Sequence, residues 1–287
     1  MNIYICTKPL QIMICMILSR CDITKFLYIV DAFSNSQIIA SSKELRNNFS
    51  KILWFRTKKE AFEAAANQRP NIIYIDGDVG VRNLFDLYKI KIRSLKTEIN
   101  VYEEGVGTYR TDLIKNKTKK WVLFLFGVGV YYGGCFLTKK IFLFEPNVYI
   151  KNIPSLKNKV VRIDVNFCTW LHENKIKLLE IFSPGFAINI ADKQKIAYLY
   201  LSSWSIDLNF IDKAKMFGVF FVKLHPHIKN ENLKSEGDFI VVPNSLPAEV
   251  AIILILEHFE RLVVYHSSSS SLHYVKSDKI KSLSIDD

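Results

Sequence analysis

NIIYIDGDVGVRNLFDLYKIKIRSLKTEINVYEE, residues 71–104, is the stretch that decides the fold. Its two β-rich runs, NIIYID (71–76) and INVYEE (99–104), enclose a segment that reads as the helix VRNLFDLYKI (81–90). A strand, a helix and a second strand in this order are typical of a βαβ unit, in which the two strands lie parallel. The stretch therefore predicts an α/β fold with a parallel sheet covered by helices.

The same alternation continues along the chain in both directions. We predict two α/β halves, an N-terminal domain over residues 1–155 and a C-terminal domain over residues 156–287. The further predicted strands are IYICT (3–7), KFLYIV (25–30) and KILWF (51–55) in the first half, and KIAYLYLSS (195–203), FGVFFVKL (217–224), DFIVV (238–242), RLVVYH (261–266) and KIKSLSI (279–285) in the second.

Composition and charge exclude several classes of protein. The chain has 287 residues, of which 49% are hydrophobic, so a disordered chain is excluded. The formal net charge of +11 suits an anionic partner. The charge alone does not distinguish nucleic acid, lipid headgroups and an anionic substrate. Because the lysines are dispersed instead of forming a stripe interleaved with aromatics, a nucleic-acid-binding protein is the weaker interpretation.

Cysteine usage and the apolar segments indicate a location. The five cysteines form no C-x-x-C pair, which favours a reducing cytoplasm, and Lys8 and Gln11 interrupt the N-terminal apolar stretch, which argues against a signal peptide. The longest apolar run, Trp121 to Leu137, has interior glycines and is flanked by lysines. We favour a buried helix and strand of the core; the alternative is a segment lying on anionic lipid at the inner face of the cytoplasmic membrane.

Three polar clusters lie at the carboxyl ends of predicted strands. They are Glu103-Glu104-Gly105, the KLHPH stretch of residues 223–227, and the serine run from Ser267 to Ser271. In doubly wound sheets this edge carries the ligand-binding crevice. We therefore expect these clusters to converge on a single active site.

The first two clusters offer a base and cations. Because neighbouring strand residues point to opposite faces, only one of Glu103 and Glu104 can aim into a cleft as a general base; the alternative is a solvated acidic turn. Pro226 biases His225 to extended geometry, and Lys223 projects from the same strand face, so the two predict a cationic pair for an anionic ligand. A capped strand end is the alternative.

The serine run and the helix before it point to a phosphate. Ser267 to Ser270 offer hydroxyls and, if a helix starts there, free backbone N–H groups at the positive end of its dipole. An ordinary serine N-cap is the alternative. Glu249 lies in the first turn of the predicted helix Leu246 to Phe259, where its carboxylate either stabilises the dipole or accepts bonds from a ribose diol.

Metal and nucleoside triphosphate signatures are weak in this sequence. Asp76-Gly77-Asp78 imitates a D-x-D metal motif but reads as the turn between a strand and a helix. The motifs G-x-x-x-x-G-K-[ST] and H-E-x-x-H do not occur. We expect neither a metal nor a cofactor.

The order of the three clusters resembles that of the bacterial sialyltransferases. The opening IYICTKPLQIMI (3–14) and the stretch VYEEGVGTY (101–109) are most similar to glycosyltransferase family 52, the lipooligosaccharide sialyltransferases, with the polysialyltransferases as more distant relatives. The resemblance implies a GT-B architecture, two Rossmann-like domains facing a cleft. It also implies an inverting, metal-independent transfer of sialic acid from CMP-sialic acid to a galactoside or sialoside of a bacterial surface glycan that can be lipid-linked. We also allow for a homodimer.

The resemblance also assigns roles to residues. Glu103 or Glu104 matches the base of the acidic motif, whereas Asp207, in LSSWSID (201–207), is the counterpart of the aspartate base of the lipooligosaccharide enzymes, so the base assignment is split. His225 matches the histidine that contacts or protonates the departing phosphate. The implied contacts to CMP and its phosphate are Ser202, Ser203, Lys223, His227, Glu249 and Ser267 to Ser270, with Ser268 and Ser269 preferred. A transferase for another CMP-activated acidic sugar, Kdo-like or pseudaminic acid, is the closest alternative.

Overall fold

The chain divides into two units. The computed structural model describes residues 1–188, 195–203, 206–214, 218–228, 239–267, 269 and 271–285. One unit comprises Met1–Ala32 with Ser36–Val165, and the other comprises Phe33–Asn35 with Asn166–Asp287. The main division along the chain therefore falls after Val165, whereas the sequence predicts it after residue 155. The segment between the two positions contains a short strand that joins the first sheet.

The first unit is a seven-stranded, wholly parallel sheet with the order β3-β2-β1-β4-β5-β6-β7. Its strands are β1 (Asn2–Cys6), β2 (Lys25–Val30), β3 (Lys51–Phe55), β4 (Ile72–Ile75), β5 (Glu98–Tyr102), β6 (Lys140–Leu143) and β7 (Val160–Arg162). Its helices are α1 (Pro9–Leu18), α2 (Ser36–Ala40), α3 (Lys43–Arg46), α4 (Lys58–Gln68), α5 (Val81–Arg93), α6 (Lys117–Leu125) and α7 (Pro146–Asn152). The five strands predicted in this half are confirmed.

The second unit has a five-stranded parallel sheet with the order β10-β9-β8-β11-β12. The strands are β8 (Ile196–Leu201), β9 (Val219–Lys223), β10 (Ile240–Val242), β11 (Arg261–His266) and β12 (Ile280–Ser284). The helices are α8 (Phe167–Phe182), α9 (Leu208–Ala214), α10 (Ala248–His258) and α11 (Ser271–Tyr274). All five strands predicted in this half are confirmed.

The core of each unit follows from the parallel pairing. A parallel sheet covered on both faces needs apolar side chains on both faces of its strands. The central strand β1 accordingly buries Ile3, Tyr4, Ile5 and Cys6 completely. Helix α10 buries all of its residues from Val250 to Ile255. This almost wholly apolar helix therefore belongs to the core of the second unit.

Both sheets share the strand order 3-2-1-4-5 that is typical of doubly wound, Rossmann-like folds. In each, the chain starts at the centre, moves to one edge, and returns to the centre before it builds the other side. The reversal lies between β1 and β4 in the first sheet and between β8 and β11 in the second. Ligands of such folds bind outside the carboxyl ends of the strands at this point. The strand order thus marks one candidate edge in each unit.

The apolar run from Trp121 to Leu137 departs from the favoured prediction of a buried helix and strand. Its helical part belongs to α6, and none of that helix's nine residues, all of them described, is buried. Residues 127–138 follow as an irregular segment in which Val128, Val130 and Cys135 are buried. The prediction is wrong for α6, because apolarity along the sequence does not show whether a helix has a surface to pack against. Among the described residues, none of the helices combines the length and apolarity that crossing a bilayer requires.

Candidate functional site

A pocket opens at the carboxyl edge of the second sheet, where the strand order reverses. Its volume is about 600 Å³, within the range of roughly 300–1,000 Å³ that small-molecule sites occupy. It is lined by Tyr200, Ser203, Ile206, Asp207, Leu208, Asn209, Ser267 and Ile285. Three residues predicted from the sequence, Ser203, Asp207 and Ser267, therefore share one pocket, although Ser267 is about 60 residues away from the other two along the chain.

Asp207 holds its position in the pocket wall by capping a helix. Its Oδ1 accepts a hydrogen bond from the backbone N–H of Phe210 at 3.0 Å, and its own N–H donates to the Tyr200 hydroxyl at 3.2 Å. The residue remains exposed. A carboxylate that is fixed by its own helix and open to solvent can receive a proton from a bound substrate.

Ser202 joins the ends of two neighbouring strands and positions His225. The buried Ser202 hydroxyl accepts a hydrogen bond from the backbone N–H of His225 at 2.8 Å, and the Ser202 N–H donates to the Lys223 carbonyl at 3.0 Å. The imidazoles of His225 and His227 are half-buried neighbours, with ring centroids 5.1 Å apart. The His227 N–H points to Nδ1 of His225 at 3.4 Å. The end of β9 therefore presents two imidazoles side by side.

Lys223 does not form the exposed cationic pair with His225 that the strand pattern predicts. Its side chain is buried, and the ammonium donates to the carbonyls of Leu224 at 3.1 Å and Asn244 at 3.3 Å. Strand β9 ends at Lys223, so the alternation of faces does not extend to His225. Desolvation lowers the pKa of Lys223 to about 8, although the Glu249 carboxylate acts in the opposite direction.

Glu249 lies in the first turn of α10, as predicted, but its side chain is buried. Desolvation raises the pKa of Glu249. A backbone hydrogen bond, a hydrogen bond with the Ser271 side chain and the Lys223 charge each lower it, but by less. Lys223 and Glu249 are thus buried beneath the strand ends. Neither belongs to the lining of the pocket.

The described residues Ser267 and Ser269 of the serine run lie between β11 and α11, at the position predicted for them. Ser267 lines the pocket, and the Ser269 hydroxyl is 3.3 Å from both the backbone nitrogen and the hydroxyl of Ser271. Ser268 and Ser270, two of the predicted phosphate contacts, lie outside the described residues. Helix α11 is a single turn of four residues, and phosphate binding at its start stays a prediction.

His266 supports this turn and is missing from the predicted site. Its Nδ1 accepts a hydrogen bond from the Ser269 N–H at 3.1 Å, and its Nε2 lies 2.6 Å from the Ser282 hydroxyl. A neutral imidazole in this setting carries its proton on Nε2 and donates it to Ser282. His266 is the last residue of β11, so the rule that selected the serines would also have found it.

The two adjacent glutamates of the first unit have different surroundings, as the alternation along a strand requires. Glu103 is fully buried, and its Oε2 accepts hydrogen bonds from the Tyr109 hydroxyl at 2.5 Å and the Phe144 N–H at 2.8 Å. The Glu104 side chain is 17% exposed; its carboxylate oxygens accept from Lys8 Nζ and the Tyr132 hydroxyl, each at 2.7 Å. Of the two, Glu104 has the carboxylate that a substrate can reach.

Further polar groups at this edge were not predicted as site residues. The Asp76 carboxylate accepts hydrogen bonds from the Thr7 hydroxyl at 2.7 Å and from Lys58 Nζ at 2.5 Å. Desolvation alone would raise the pKa of Asp76, but the Lys58 charge and these hydrogen bonds outweigh it and lower the pKa. Thr7 and Lys8 directly follow β1, so the strand-end rule could have selected them. Lys58 and Tyr132 come from a helix and a loop and carry no such signal.

Asp78 anchors the loop that follows α6. Its buried carboxylate accepts from the N–H groups of Gly133 at 2.8 Å and Cys135 at 2.9 Å and from the Thr138 hydroxyl at 2.7 Å. Both carboxylates of the Asp76-Gly77-Asp78 turn are therefore bonded to protein groups. Within the described residues, no group of three or more His, Cys, Asp and Glu side chains could hold a metal ion.

Comparisons with known proteins add little to this geometry. No family model matches the chain, and no curated protein matches it. A similar solved structure is that of D-2-hydroxyisocaproate dehydrogenase, with 10% sequence identity, a TM-score of 0.19, and coverage of 98% of this chain and 70% of that one. A likeness at this TM-score carries no functional argument. The assignment of an α/β, Rossmann-like fold rests on the strand orders described above.

Proposed function

We propose that the protein is a sialyltransferase that transfers sialic acid from CMP-sialic acid to a hydroxyl of a galactoside or sialoside on a bacterial surface glycan. The observation that carries the proposal is the pocket of the second unit, where Ser203, Asp207 and Ser267 meet at the point of strand reversal. The proposal includes a GT-B architecture, in which the two doubly wound sheets belong to the two Rossmann-like domains.

The pocket has the chemistry that a nucleoside monophosphate sugar needs. Serine hydroxyls and the Asn209 amide can donate hydrogen bonds to a single phosphate and to the sugar, and the volume is that of a small-molecule site. His225 does not line the pocket; it lies just after β9, the neighbour of β8, and in this proposal its imidazole supplies positive charge or a proton to the phosphate. The buried Lys223 supports the ends of β9 and β10 through the two carbonyls it binds. In this proposal its role is to position those loops.

The reaction is a direct displacement with inversion. The acceptor oxygen forms a bond to the anomeric C2 of sialic acid while the bond from C2 to the phosphate oxygen breaks, and that electron pair leaves with CMP. The proton of the acceptor hydroxyl passes to a carboxylate. His225 and the serines stabilise the negative charge that develops on the phosphate, an effect for which single donors contribute on the order of 3 kcal/mol.

Asp207 is the carboxylate that we propose as the base. It lies in the pocket wall, and its helix cap fixes it there. Glu104 is the second candidate, but the Lys8 ammonium and the Tyr132 hydroxyl already occupy its two carboxylate oxygens.

The test is transfer from CMP-sialic acid to a panel of galactosides and sialosides, followed by CMP release and the mass of the product. We expect Asp207→Asn to lower kcat by about 10²- to 10⁴-fold with little change in CMP binding, the range for loss of a general base. His225→Ala should also lower kcat more than it weakens CMP binding. Glu104→Gln is the matched amide substitution in the first unit.

Each outcome has one meaning. A larger loss of kcat in Glu104→Gln than in Asp207→Asn would assign the role of base to Glu104, with the proposed reaction otherwise unchanged. Transfer from CMP-Kdo or CMP-pseudaminic acid, with none from CMP-sialic acid, would replace the donor. Absence of CMP binding and of CMP release with all three donors would overturn the proposed function.

A further inference from the structure

Helix α6 and the residue that follows it expose large apolar side chains that a soluble surface seldom groups together. Trp121, Phe124, Leu125 and Phe126 are between 59% and 74% exposed. They follow one another within six residues, so they cover most of the circumference at the end of the helix. Clustered aromatic and aliphatic groups of this size mark a surface that another molecule covers.

Helix α5 of the same unit carries a second exposed apolar stripe. Val81, Phe85, Tyr88 and Ile92 are all exposed, and their spacing of four, three and four residues places them along one side of the helix. Leu87 and Ile90, on the other side, are fully buried in the core. Helix α5 is therefore apolar on two sides. One side packs in the core, and the other is exposed to solvent.

The two apolar surfaces are joined by the segment that follows α6. The N–H of Gly80, at the start of α5, donates to the Gly129 carbonyl at 2.9 Å. Phe136, which is 57% exposed, packs next to Gly127 at the end of α6. A pocket that Phe136 shares with Lys91, Lys96 and Lys139 then reaches the other end of α5. The segment is thus bonded to the start of α5 and lies near its other end.

Positive charge is concentrated around these apolar groups. Residues 81–96 and 113–140 together contain a single acidic residue, Asp86. The same two stretches contain eleven cations: Arg82, Lys89, Lys91, Arg93, Lys96, Lys115, Lys117, Lys119, Lys120, Lys139 and Lys140. The stretches therefore carry almost all of the net charge of +11.

We propose that this face of the first unit, formed by α5, α6 and Phe136, binds the surface of an anionic lipid bilayer. Exposed aromatic and aliphatic side chains can enter the headgroup region while the surrounding lysines and arginines remain at the level of the anionic headgroups. Nucleic acid would match the charge and could stack on the aromatics, but it offers no apolar phase for Val81, Ile92 and Leu125. The proposal does not depend on the proposed transferase activity.

The experiment is co-sedimentation of the full chain with vesicles of phosphatidylcholine alone or with 30% phosphatidylglycerol. We expect at least tenfold stronger binding to the anionic vesicles and a marked loss of binding when the salt concentration is raised. The double variant Trp121→Ser, Phe124→Ser should bind at least tenfold more weakly. So should Lys117→Glu, Lys119→Glu, since each cation near an anionic surface changes the affinity by about fivefold. These four side chains are exposed, so circular dichroism should show an unchanged fold.

The matched control is Ile23→Ser, Ile38→Ser, which removes two exposed isoleucines of the same unit elsewhere on its surface. It should bind like the parent chain. Equal binding of the Trp121/Phe124 variant and this control, or equal binding to neutral and anionic vesicles, would overturn the proposal. It would also be overturned if the face instead joined two copies of the chain, shown by a dimer in sedimentation velocity that the Trp121/Phe124 variant dissociates, or if the chain bound single-stranded RNA and no vesicles.

Discussion

The carboxyl edges of the two sheets differ in how their polar groups are used, although the strand order is the same. At the first edge, Lys8 pairs with Glu104 and Lys58 pairs with Asp76, so cations and carboxylates from different elements neutralise each other. At the second edge, hydroxyls and a helix-capping aspartate surround a pocket. Strand order therefore locates the edge at which ligands bind, and the side chains that follow each strand decide whether that edge is open.

The lysines at the two edges differ in burial, since the side chains of Lys8 and Lys58 are 37% and 31% exposed whereas Lys223 is buried. The first edge keeps the ion pair of Lys8 and Glu104 partly exposed, with side-chain exposures of 37% and 17%. The second edge buries Lys223 and Glu249 beneath its strand ends. A partly exposed pair contributes little to folding, whereas a buried lysine makes stability depend on pH. Three measurements separate these behaviours.

The largest expected effect is at Asp78, the carboxylate of the first edge that is wholly used by the fold. Asp78→Ala leaves the N–H groups of Gly133 and Cys135 and the Thr138 hydroxyl without their acceptor. At about 1–3 kcal/mol for each buried polar group left unpaired, the free energy of unfolding should fall by about 3 kcal/mol or more in urea denaturation. Asp112→Ala removes an exposed carboxylate and should leave the midpoint of urea denaturation unchanged. Similar midpoints for the two variants would show that Asp78 does not anchor the loop.

The next effect is a pH dependence caused by Lys223. The folded state releases the proton near pH 8, whereas the unfolded chain holds it until about 10.5, so the unfolded state binds more protons between these values. The contribution of Lys223 to stability therefore rises with pH across this interval, by up to about 3 kcal/mol at 1.36 kcal/mol per pKa unit. As the pH rises across this interval, the free energy of unfolding of the parent chain should increase by this amount relative to that of Lys223→Met. A difference independent of pH would mean that the ammonium is solvated.

The smallest expected effect is the coupling between Lys8 and Glu104. A double-mutant cycle with Lys8→Met and Glu104→Gln, read from the free energy of unfolding, should give less than about 1 kcal/mol, because both side chains reach solvent. Raising the salt concentration should reduce it further. A coupling above about 2 kcal/mol would show that the first edge is a buried network, and the contrast with the second edge would then disappear.

Most strands could be predicted because each is a short apolar run bounded by polar residues. Strands β6 and β7 were not predicted; length does not explain this, because β4 and β10 are equally short and were predicted. The strand-end rule selected Ser267, and the resemblance to the lipooligosaccharide enzymes added Ser203 and Asp207; all three line one pocket. The same rule does not show that Lys223 is buried, because its burial depends on the loops after β9 and β10.

The sequence by itself determined the α/β class and the points along the chain where strands end in polar groups. Those properties depend on neighbouring residues, through apolar runs and turn residues that act over a few positions. Only the tertiary structure decided that Glu103 is buried while Glu104 reaches solvent, that His266 holds the serine turn, and that α6 leaves its aromatic residues exposed. Burial and pairing depend on groups brought together from distant parts of the chain, and no local pattern records which surfaces will meet.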